Sequence, residues 1–172
     1  MKKKTIFETK NFNIIEFENS ITGINFTNIN IGILPYVVYD NKLISIGISK
    51  EKNFFREEQE TNNIITGINK LNETFLESAI RIFKEKTGIE EKNKDKWLYL
   101  GILKLSKNTD ESIVIFGLDI SNYNLKELET NNFKLLKVNN EFLMSEESLL
   151  LATYFRLNIF FKKKINKILY YE

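Results

Sequence analysis

The chain has 172 residues, with 25 Lys and Arg against 23 Asp and Glu and a formal net charge of +2. That length favours one domain, and the near-balanced charge gives no strong global field for nucleic acid or anionic lipid. Hydrophobic residues at 42% and charged residues at 28% are too apolar a mixture for a disordered chain. With no Cys and no His, it holds no disulfide, no zinc site of the usual kind, no thiolate nucleophile and no histidine base.

The start Met1-Lys2-Lys3-Lys4 is like a signal-peptide n-region, but Glu8, Lys10, Asn11 and Asn13 interrupt the apolar stretch that must follow it. No run approaches the roughly 20 apolar residues that a bilayer span requires. These features predict a soluble, cytoplasmic protein with no membrane partner. Lys, Asn, Ile, Phe and Tyr crowd the sequence while Ala, Arg, Gly and Pro are scarce, the mark of an A/T-rich genome.

No repeat and no Pro- or Gly-rich linker divides the chain, so 1–172 reads as one unit, with 1–30 as N-terminal strands or an arm. The apolar run Ile31 to Tyr39, the turn Asp40-Asn41 and the run Leu43 to Ile48 predict a β-hairpin. Pro35 inside the first run predicts an edge position or a local bulge. From Phe75 onward the period changes. Leu76, Ala79, Ile80 and Phe83 fall at i, i+3, i+4 and i+7, which predicts a helix from Glu73-Thr74 to Gly88. Thr74 with Glu77 three positions later is a capping-box pattern, and Gly88 suits a left-handed C-cap.

After a charged loop from Glu90 to Lys96, Trp97 to Leu105 and Ser112 to Ile120 predict two strands joined by a turn at Asn108-Thr109-Asp110, and Phe133 to Val138 another. A second helix is predicted from Ser145 to about Phe161, within a helical segment 145–172. Lys162, Lys163, Lys164 and Lys167 make a local basic patch, which a solvated terminal helix face also explains.

The segment from Gly67 to Ile89 resembles the Nudix box, G-x5-E-x7-R-E-U-x-E-E-x-G-U, where U is a bulky apolar residue. Gly67 opens it, Glu73 follows after five residues and Arg81 after seven more. Phe83 takes the apolar position, Glu85 is the first of the paired Glu, and Gly88-Ile89 close the pattern. Two positions depart: Ile82 stands where Glu should follow Arg, and Lys86 stands for the second paired Glu. The resemblance implies an α/β Nudix-like α/β/α sandwich with a mixed sheet. Asn63 to Gly67 and Ile115 to Asp119 also look like segments of Nudix proteins carried by bacteriophages, which would place the protein in a virion.

Members of this family cleave a nucleoside diphosphate linked to another moiety, with Mg²⁺ or Mn²⁺ held by hard oxygen ligands on one helical face. Positions 82, 85 and 86 share such a face at about 100° per residue, and only Glu85 is a carboxylate. By the resemblance Glu85 is the residual catalytic and metal-ligand candidate. Gly67, Glu73, Arg81 and Gly88 are the structural half of the motif, with Glu73 and Arg81 as its ion pair.

Two functions fit. In one, no metal is bound and the chain is a binding or assembly module, such as a phage particle component. Its partner would be a protein or a second copy, with the aromatic, basic segment Tyr154 to Tyr171 as docking helix or as cover for its own core. Lys86 with Arg56 would then bind nucleotide phosphate without turnover. In the other, the chain is a divergent Mg²⁺-dependent hydrolase. Replacement ligands would come from Glu57, Glu58 and Glu60 in the loop before Gly67, from Asp110 and Glu111, or from Glu146 and Glu147.

Overall fold

The structure, a computed structural model, describes residues 3–8, 13–17, 29–53, 56–104, 112–130, 133–138, 150 and 153–159. The strands are β1 (Lys3–Glu8), β2 (Asn13–Phe17), β3 (Ile29–Tyr39), β4 (Lys42–Asn53), β5 (Arg56–Asn63), β6 (Ile65–Ile68), β7 (Trp97–Lys104), β8 (Ser112–Asp119) and β9 (Phe133–Lys137). The helices are α1 (Phe75–Thr87), the single turn α2 (Leu125–Leu128) and α3 (153–159). The strands form one mixed sheet in the order β1-β2-β7-β8-β3-β4-β5, with β6 beside β3 and β9 beside β4.

β3 and β8 are the parallel pair, in register from Ile29 opposite Ser112 to Tyr36 opposite Asp119. A parallel pair at the centre of a sheet is covered on both faces, so its strands are apolar on both. Along β3, Ile29, Ile31, Ile33 and Val37 point to the α1 face, where they meet Phe75, Ala79, Ile82 and Phe83. Leu34 and Tyr36 point the other way and pack with Leu150, Tyr154 and Leu157 at α3. Helix, sheet and helix thus make the three layers expected of an α/β/α sandwich.

β7 changes faces partway along. Trp97 lies in the α1-side core and Leu100 in the α3-side core, yet Ile102 returns to the α1 side and Leu103 to the α3 side. The register with β8 shifts between Tyr99 and Gly101, so one extra residue reverses the inward and outward positions. Gly101 has φ 132°, a backbone conformation that an L side chain resists. Arg156, buried on α3, donates from Nε to the Leu100 carbonyl at 2.7 Å and anchors the helix to this bulge.

The predicted hairpin is β3–β4, turning at Asp40 (φ 50°) and Asn41 (φ 60°), the paired positive angles of a two-residue hairpin turn. Pro35 is not at an edge. It lies within β3, opposite Leu118 of β8. The Tyr36 carbonyl accepts from Ile120 N on the β8 side, so the neighbouring Pro35 backbone faces the other side. There β6 pairs with Asn30 to Ile33 and β4 with Tyr36 to Tyr39, and the missing N–H falls in the gap between them.

Glu57, Glu58 and Glu60 are a second correction, because they lie on strand β5, paired with β4, and not in a loop. The sequence Arg56 to Asn63 has no apolar alternation, and pairing with β4 fixes it as a strand. Of the predicted 145–161 helix, residue 150 and residues 153–159 are helical. The turn at Asn108 to Asp110, Glu111, Ser145, Glu146, Glu147, Lys162 to Lys164, Lys167 and the end of the Tyr154 to Tyr171 segment lie outside the described residues.

Candidate functional site

The box helix starts and stops where its local chemistry dictates. Thr74 has extended backbone, and its side chain accepts from Glu77 N at 3.1 Å, satisfying one of the free amides of the first turn. Gly88 at φ 80° ends the helix, its N–H donating to the Lys84 carbonyl at 2.7 Å. The buried face is Phe75, Ser78, Ala79, Ile82 and Phe83.

Arg81 ties this helix to the segment before it. Its Nε donates to both Glu73 oxygens, at 2.9 and 3.0 Å, and its Nη2 donates to the Ile68 carbonyl at 2.7 Å. Nη1 reaches Glu85 Oε1 at 3.1 Å. Burial alone would lower the guanidinium pKa, but the bonds from Glu73 and Glu85 outweigh it and the pKa is raised. Ser78, fully buried, donates to Glu73 Oε1 at 3.2 Å and accepts from Asn69 Nδ2 at 2.8 Å. Asn69 also bonds the Glu73 carbonyl at 3.3 Å. Segment 68–74 is therefore closed onto α1 by a network of five side chains and two carbonyls.

The three positions that would present carboxylates to a cation differ in fate. Ile82 is 2% exposed and belongs to the α1-side core. Its side chain lies directly over Gly67 of β6: a Cβ built on Gly67 would stand 2.6 Å from both Cδ1 and Cγ1 of Ile82. Glu85 is exposed and engaged by Arg81. Lys86 is exposed on the same helix. A hard dication needs several oxygen ligands; here one carboxylate, one hydrocarbon and one ammonium share the face, and they do not fit it. Among the described residues no group of three or more Asp or Glu side chains is placed to hold a metal ion. Arg56 begins β5 opposite Asn53, and the other candidate carboxylates of β5 follow it along that strand.

Sequence reasoning missed Asn69 and Ser78. A hydroxyl in the apolar stripe of α1, one turn after Thr74, is the signal that marks Ser78. It also missed a network at the other end of the helix. There Glu91 accepts from the Tyr123 hydroxyl, from Lys96 Nζ at 3.0 Å and from Asn93 N at 3.3 Å. Trp97 Nε1 donates to the Glu91 carbonyl at 3.0 Å, and Lys96 Nζ sits 4.9 Å over the Tyr123 ring. This joins the segment after α1 to the segment after β8.

No protein-family model matches the sequence, and no curated protein matches it. Solved structures do match. The Bacillus subtilis pyrophosphohydrolase BsRppH superposes with a TM-score of 0.58 at 17% identity, over 89% of this chain and 96% of that one. A MutT/Nudix family protein from Listeria innocua gives 0.56 at 13% identity, over 83% and 98%. Shewanella oneidensis NrtR gives 0.56 at 11% identity over 76% of this chain, which spans 61% of NrtR. No helix among the described residues is long and apolar enough to cross a membrane. Layer order, sheet topology and the superposed structures agree: this chain has the Nudix fold, an α/β/α sandwich around a mixed sheet.

Proposed function

We propose that the chain is a non-catalytic Nudix-fold module that binds or assembles with other proteins. The observation that carries this reading is the burial of Ile82 against Gly67, which puts hydrocarbon where the box of a hydrolase presents a carboxylate. Glu85 is committed to Arg81, and Lys86 adds positive charge beside it, repelling a cation instead of binding one. The retained residues Gly67, Glu73, Arg81 and Gly88 serve architecture alone. The partner is a protein or a second copy of the chain, and a bacteriophage particle is the setting suggested by the likeness of Asn63 to Gly67 and Ile115 to Asp119. A nucleotide, where one binds, is held by charge through Lys86 and Arg56 and is not turned over. NrtR is known in complex with a 27mer DNA; the near-balanced charge of this chain does not extend that to it.

The test is hydrolysis of ADP-ribose, nucleoside triphosphates and dinucleoside polyphosphates with Mg²⁺ or Mn²⁺, beside light scattering for assembly state. The expected result is no turnover above the blank. Robust turnover that Glu85→Gln abolishes would establish the divergent hydrolase instead.

A further inference from the structure

We infer that Ile82 and Gly67 form an interlocked pair, so that position 82 of the cation face now belongs to the α1-side core and restoring carboxylates at 82 and 86 will not restore an ion site. This deepens the reading above, because it concerns why the site is closed and not only which ligands are missing.

The geometry is specific. A Cβ at Gly67 would meet Ile82 at Cδ1, Cγ1 and Cγ2, at 2.6, 2.6 and 3.1 Å. Three atoms on different parts of one branched side chain are involved, so rotating a single terminal methyl does not clear the space. Ile82 also belongs to one buried cluster with Phe75, Ala79 and Phe83 of its own helix and with Ile31 and Ile65 of the sheet. Close packing leaves it no second place to go. The glycine that opens the box is therefore needed here as a seat for Ile82. β6 and α1 meet through that seat on one side and through Asn69, Glu73, Ser78 and Arg81 on the other. A carboxylate at position 82 would enter the apolar core beside the Gly67 backbone, and such a group neutralises or unfolds its surroundings.

Two measurements on the full chain test the inference. In the first, Gly67→Ala is made alone and in an Ile82→Ala background. The single change lowers Tm by about 5 °C through overpacking, whereas in the Ile82→Ala background it leaves Tm unchanged or raises it. An equal fall in both backgrounds overturns the pair. In the second, Mn²⁺ is titrated into Ile82→Glu/Lys86→Glu and followed by electron paramagnetic resonance. The expected result is a Tm lower by about 10 °C or more and no Mn²⁺ bound in the micromolar range. A variant that keeps its Tm and binds Mn²⁺ tightly overturns the inference. Turnover by the unmodified protein would defeat the proposed function while leaving the Ile82–Gly67 coupling to be decided by the first measurement.

Discussion

Arg81 spans the box, with its Nε on both carboxylate oxygens of Glu73 eight residues earlier and its Nη2 on the carbonyl of Ile68. Three of its donors are placed by one planar fork, a geometry that an ammonium cannot copy. Both partners of the ion pair are mostly shielded from water, at 23% and 21% exposure, so the pair is worth more than a surface bridge. Arg81→Ala is expected to lower unfolding free energy by about 2–3 kcal/mol, and Arg81→Lys to recover less than half of that. Urea denaturation at pH 7 measures both, and full recovery by lysine would contradict the fork geometry.

Acid acts at the opposite end of α1. Burial alone would push the Glu91 carboxyl up, but bonds from Tyr123, Lys96 and the Asn93 amide outweigh it, and its pKa is lowered from 4.5. A lowered folded value means that this stabilisation is complete above the ordinary value and is lost as pH falls through the folded one. Glu91→Gln should therefore be less stable than the parent at pH 7, with the two stability curves converging below pH 4.5. Parallel curves down to the acid transition would remove Glu91 from the account.

Alkali probes two phenols. Burial first, and then the Asp119 carboxylate, hold the Tyr36 hydroxyl far above its ordinary 10.0. Burial and the Glu91 carboxylate do the same for Tyr123. Here the sign is reversed, since the folded state keeps a proton that the unfolded chain releases. The contribution is full below the ordinary value and lost as pH rises through the folded one. In an ultraviolet titration, Tyr36 and Tyr123 should ionise only as the chain unfolds. Tyr36→Phe should remove one of these late steps.

Gly101 is expected to tolerate no side chain. Its φ of 132° and its place beside the shifted register make Gly101→Ala cost about 1–3 kcal/mol. Gly88→Ala, at φ 80° with open space around its Cα, should cost only about 1 kcal/mol. Thermal melts of both variants give the ranking, and its inversion would show that the bulge is not held in this form.

Much of the architecture was legible because its signals are local. Thr74, Glu77 and Gly88 fix both ends of α1 within the helix itself, and Asp40-Asn41 carries the hairpin turn in two residues. What escaped was set by partners far away in sequence. The polar run Arg56 to Asn63 is a strand because β4 supplies its hydrogen bonds. Pro35 sits inside the sheet because two different strands divide its flank, which no neighbour in sequence announces. At the site, the ion pair of Glu73 and Arg81 was foreseen from the resemblance. The fate of position 82 needed the distance to Gly67, fifteen residues upstream and on another element.

The switch of faces at Leu100 and Gly101 sets how the gene itself can vary. Loss of one codon at Leu100 or Gly101 would remove the extra residue and restore plain alternation, leaving Trp97 and Ile102 on the α1 side and Leu103 on the α3 side. A plain strand would swap its two faces on losing a residue there, whereas this one can be shortened by one and keep its two cores apart.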